Sequence, residues 1–113
     1  MAARAATFRR LALALPDTEE GAHHGHPDFR HEGRVFASLQ PGETVGMVIL
    51  PPPRQQELLA RGEAALRPAN GAWGRQGCTL VELAAADQQL LRELLTDAWQ
   101  FAAAKTAAKR TKK

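Results

Sequence analysis

The sequence predicts a single α+β domain of two layers, an antiparallel sheet of about five to six short strands packed on N-terminal and C-terminal helices, with a short middle helix. Three observations predict it. Apolar residues recur at helical spacing near both ends, over Phe8–Leu15 and Leu91–Ala102. Between them lie short β-prone runs separated by Gly, Pro and Asn turns, which favours hairpin-linked antiparallel strands. A chain of 113 residues has the size of one domain with one modest core.

Residues 3–15 read as the first helix, with Phe8, Leu11, Ala12 and Leu15 on one face. The N-terminal stretch has arginines and a short apolar run, but the run is amphipathic and no small-residue cleavage site follows, so it is expected to be a helix of the domain and not a leader. Pro16 stops it, and Asp17 opens a polar turn. Residues 28–31 and 34–39 predict two strands around the turn Glu32-Gly33, with Val35, Ala37 and Leu39 alternating against Arg34, Phe36 and Ser38. Phe29 and Phe36 are expected to pack across this hairpin. Val45–Leu50 predicts a third strand after Pro41-Gly42. Pro51-Pro52-Pro53 ends it and opens a short helix over Arg54–Ala60, where proline suits the first turn. Leu58 and Leu59 should face inward, and Gly62 should end the helix. Ala64–Arg67 predicts a short strand, Asn70-Gly71 a hairpin turn, and Thr79–Leu83 the last strand. Asp87 is placed to cap a long helix running to about Ala104. The domain is thus expected over 1–104, with a basic, disordered tail over 105–113.

The net charge of +3 is unevenly held. Lys105, Lys109, Arg110, Lys112 and Lys113 sit in a tail without acids, while the rest of the chain carries ten arginines against twelve acids. The basic pI of ≈ 9.6 therefore belongs to the tail. Such a tail attracts nucleic acid or an anionic surface without specificity. No apolar run approaches the ~18 residues of a membrane span, so no membrane insertion is expected. The lone Cys78 excludes an intramolecular disulfide and suits a reducing cytoplasm.

HPDFR (26–30), GRVFASL (33–39), GMVIL (46–50), NGAWGRQG (70–77) and TLVEL (79–83) occur in that order before an amphipathic closing helix. In these motifs and their spacing the chain resembles the MmcQ/YjbR family of small bacterial proteins, from about Phe8 to Lys105. The resemblance implies a frataxin-like sheet-and-helix fold and a "double wing" DNA-binding character. It carries no catalytic residue set. Relatives often have lysine after GMV, where this chain has Ile49, which removes one candidate phosphate contact. The iron handling of frataxins uses an acidic first helix; here that helix carries arginines, so that activity does not transfer.

All four histidines fall within HHGHPDFRHEG, residues 23–33. On an extended strand His24, His26 and Asp28 would share one face, as in the two-histidine, one-carboxylate site of non-heme iron or three ligands of zinc. No flanking ligand motif accompanies them, and Gly25 and Pro27 interrupt the run, so the expectation is a polar loop without a metal. An exposed Trp73 beside Arg75 would stack on a base or anchor a partner; the plainer expectation folds Trp73 onto the sheet and leaves Arg75 solvated. There is no GxSxG, HExxH, CxxC or GxxxxGK pattern.

The expected function is non-catalytic DNA binding of low specificity, without a cofactor, by a cytoplasmic monomer or weak homodimer. Arg30, Arg34, Trp73 and Arg75 on two hairpin wings would position the backbone, and Lys105, Lys109, Arg110, Lys112 and Lys113 would add affinity by displacing counterions. The alternative is a small-molecule or protein-interaction module using an open sheet face and the Trp73 loop.

Overall fold

Phe8, Leu11 and Ala12 are all buried, as their spacing predicts, and they place the first helix against the sheet. A computed structural model describes residues 4–23 and 25–111. The elements are α1 (Ala5–Leu13), β1 (Thr18–His23), β2 (His26–His31), β3 (Arg34–Leu39), β4 (Val45–Ile49), α2 (Pro52–Ala60), β5 (Leu66–Pro68), α3 (Gly71–Arg75), β6 (Cys78–Glu82) and α4 (Gln88–Thr111). Among the described residues six strands form one sheet in the order β1-β2-β3-β4-β6-β5, every neighbouring pair antiparallel. The α+β class and the two terminal helices on the sheet agree with the sequence.

α4 crosses β2, β3 and β4, and α1 packs beside it on β1 and β4. Leu91, Leu94, Leu95, Ala98 and Ala102 of α4 join Phe8, Phe29, Leu39, Val48 and Val81 in one core. Asp87 caps α4 as expected: its Oδ1 accepts from the Leu90 amide at 2.8 Å. Trp99 donates from Nε1 to the Pro16 carbonyl at 2.9 Å and meets the His31 ring edge-on at 5.0 Å, tying α4 to the α1–β1 link and to β2.

Four expectations are corrected. The polar segment after Asp17 is not a turn but the edge strand β1, paired along its whole length with β2. Its TEEGAH sequence lacks apolar alternation because an edge strand is protected by charge; Glu20 there accepts from Arg9 of α1 at 2.9 Å. In β3 the strict alternation fails. Phe29 pairs with Ala37 and Arg30 with Val35, so Phe36 is the extra residue of a bulge, and Phe36 and Ala37 are both fully buried. Phe29 accordingly packs on Phe8, ring centroids 5.9 Å apart. The Asn70-Gly71 hairpin is instead the start of the short helix α3. Finally, α4 does not end near Ala104. It continues through Thr111, so residues 105–111 are helix and not the expected disordered tail. Alanine-rich sequence without Gly or Pro favours that continuation, and cations suit the negative end of the helix dipole.

α2 is held to α4 by charge. Arg54 donates to Asp97 at 2.9 Å and to Glu93 at 2.7 Å, and Arg61 donates to both Glu93 oxygens at 3.0 and 3.1 Å. The Arg61 hydrogen bond, with the charges of Arg61 and Arg54, keeps the Glu93 carboxyl below its usual pKa range despite partial burial. A lowered folded-state pKa stabilises the fold above the unfolded carboxylate value, and that contribution is lost as pH falls through the lowered value. Glu93→Gln should therefore reduce the melting temperature near neutral pH and flatten its decline between about pH 5 and pH 3. Thermal melts across that range check this; with the group one-third exposed the effect should stay below ~1 kcal/mol.

Candidate nucleic-acid interface

The turn Glu32-Gly33 has φ of 49° and 84°, the paired positive values of a tight hairpin turn, and it sets Arg34 at the first position of β3. Arg34 pairs with His31, whereas Arg30 pairs with Val35. Successive positions on a strand face opposite ways, so the two arginines flanking the turn diverge. Arg30 donates from Nε and Nη2 to the buried Asp28 carboxylate at 2.9 and 3.1 Å. The Asp28 bond and charge raise the Arg30 pKa further. This arginine is committed to structure and is removed from the expected interface.

Arg34 lies on the α4 side. There a groove of ≈ 610 Å³ opens between the start of β3, α3 and the stretch of α4 from Phe101 to Lys105. Arg34, Arg75 and Lys105 line it together with Phe36, Trp73 and Phe101, and among the described residues no Asp or Glu does. Lys105 Nζ sits 4.2 Å from the centre of the Phe101 ring. Arg34 Nε is buried and meets no hydrogen-bond acceptor among the described residues. Arg34 also lines an adjoining shallow groove of ≈ 300 Å³ with Thr106, Lys109 and Glu32. Four of the residues singled out in the sequence are thus brought together, and Lys109 continues the line. Arg110 lies within α4, though its side chain is outside the described residues, as are Lys112 and Lys113.

Trp73 does not fold onto the sheet as expected: it is 65% exposed. Its helix is pinned from beneath. Gln55, buried on the inner face of α2, donates from Nε2 to the Gly74 carbonyl at 3.0 Å, the Cys78 carbonyl at 3.2 Å and Thr79 Oγ1 at 3.1 Å. Gly74 rests on the Ala69 carbonyl and Gly77 on the Leu50 carbonyl, where a Cβ would collide with either. Gln55 was not singled out in the sequence. Its signal was a polar residue one helical turn before the inward Leu58.

Cys78 is a buried floor residue of the groove, and burial pushes its thiol pKa up, which disfavours the reactive thiolate. Two other concavities differ in character. One of ≈ 930 Å³ beside α1 and the start of α4 mixes Arg4 with Glu43 and Asp87 and has no aromatic side chain. One of ≈ 390 Å³ lies on the sheet face away from α4, where Met47, Ile49, Leu80 and Trp73 surround Ser38 and Gln40. Of the histidine-cluster ligands, His24 lies outside the described residues, and both Asp28 oxygens are held by Arg30. Among the described residues no three His, Cys, Asp or Glu side chains converge on a metal position. None of the described helices is long and apolar enough to cross a membrane.

A family model described as YjbR matches residues 13–101, a span that holds Arg34, Trp73, Arg75 and Phe101 and stops before Lys105. No curated protein and no solved structure matches the chain.

Proposed function

The chain belongs to the YjbR family, and from that premise we propose that it binds DNA without catalysing a reaction on it, through the groove between β3, α3 and α4. The observation that carries this reading is the meeting of Arg34, Arg75 and Lys105 with three aromatic rings in a groove that, among the described residues, no carboxylate lines. Five other arginines serve the fold: Arg9, Arg30, Arg54, Arg61 and Arg67 are all engaged with carboxylates. Unpaired cations around a concave surface attract phosphates and release their counterions. Such contacts position a backbone without reading sequence, which fits low specificity. The single free thiol suits the cytoplasm.

A salt-titrated DNA-binding assay on the full chain and on a chain ending at Ala104 tests the proposal. Affinity should fall steeply with salt, by about 0.7–0.9 in log–log slope for each phosphate contacted. Removing 105–113 should lose most of the affinity and reduce the slope. Binding that ignores salt, or no binding at low salt, would sink the proposal. The apolar recess around Met47, Ile49 and Leu80 favours a second reading, a small-molecule or protein-binding module. It requires function to survive removal of 105–113.

A further inference from the structure

We infer that the groove receives an unpaired nucleotide of single-stranded DNA, with its base stacked on Trp73 and its phosphate held by Arg34, Arg75 and Lys105. The inference rests on the DNA-binding reading and narrows it. Its first support is size. A volume of ≈ 610 Å³ falls within the ~300–1,000 Å³ of small-ligand sites, room for a nucleotide or two and not for a duplex. Its second is shape. Readers of duplex DNA push a protruding helix or ribbon into the major groove, whereas these cations line a recess.

The aromatic groups add a third argument. Lys105 covers the face of Phe101 at 4.2 Å, so the ring open to a base is the exposed Trp73. In a duplex the base faces are covered by their neighbours, and an aromatic side chain reaches them only by unstacking a step. A single strand offers them freely, and stacking is tolerant of sequence. The groove also has a continuation suited to a strand. Arg34 borders both the main groove and the shallow one that holds Lys109. Lys105 and Lys109 are four helical residues apart, a rise of about 6 Å, so successive phosphates of one strand can meet successive cations.

The test compares four ligands at one salt concentration by fluorescence anisotropy and competition: an oligothymidine of about twelve nucleotides, within the usual site size of single-strand binders, a duplex of the same length, an abasic strand of the same length, and thymidine monophosphate. The oligothymidine should bind at least about tenfold tighter than either the duplex or the abasic strand. Trp73→Ala should bring oligothymidine to the abasic level and leave the abasic strand unchanged. The duplex binding as tightly as the single strand, or the abasic strand matching oligothymidine, overturns the inference and leaves the DNA reading standing. The mononucleotide matching the strand overturns it in favour of a free nucleotide. No binding of any nucleic acid at low salt overturns the DNA reading itself.

Discussion

Replacing Arg34, Arg75 and Lys105 together by glutamine is expected to lower DNA affinity at low salt by on the order of 10³-fold. Each contributes a charge-assisted contact to phosphate, worth about tenfold or more, and the three share one groove. The log–log salt slope should shrink by about 2–3 as those contacts vanish. Neighbouring contacts are coupled, so the triple loss need not equal the sum of the singles. Arg30→Gln is the control of matched charge. It sits in the same hairpin but is spent on Asp28, so its effect on binding should stay within about threefold, the scale of a screened surface charge. Equal losses from Arg30→Gln and from any one groove cation would mean that net charge alone drives binding.

Gln55→Leu should give the largest loss of stability. The leucine matches the shape but withdraws the donor shared by the Gly74 and Cys78 carbonyls and Thr79 Oγ1 in a buried site. The Gly74 and Cys78 carbonyls each keep a backbone donor, Gly77 and Ala69, so the loss is that of the amide's own hydrogen bonds, about 1 kcal/mol each and about 2–3 kcal/mol in total, with a melting temperature lower by roughly 10 °C. Because Gln55 anchors α3, DNA affinity should fall as well, through displacement of Trp73 and Arg75. A melting temperature within about 2 °C of the original would contradict the role assigned to this side chain.

These two sites mark the limit of what the sequence makes readable. Periodicity locates α1, β4, α2 and α4, because each buries one apolar face against the same core, and β3 is legible from its β-prone residues although its alternation breaks at the bulge. β1 carries no such pattern, because its partner is a single neighbour at the sheet edge, where glutamates replace the alternating apolar residues. Asn70-Gly71 suits a hairpin turn as well as the helix start it forms; the nearby Gly74 and Gly77 answer instead to close backbone approach, which no local pattern encodes. The candidate cations were visible as residues but not as a site. Which of Arg30 and Arg34 reaches the groove depends on register, and whether Lys105 and Lys109 are ordered depends on α4 continuing. Gln55 acts across 19 or more residues of sequence, so only folding could reveal its partners.

The most direct test of the central claim is a map of backbone and indole chemical-shift changes as single-stranded DNA is titrated into the full chain. The changes should concentrate on Arg34, Val35, the Trp73 indole, Arg75, Phe101 and Lys105, which meet at one groove, and should leave the Asp28–Arg30 pair little affected. Changes confined to β1, to the recess around Met47 and Leu80, or to residues beyond Lys109 would contradict it.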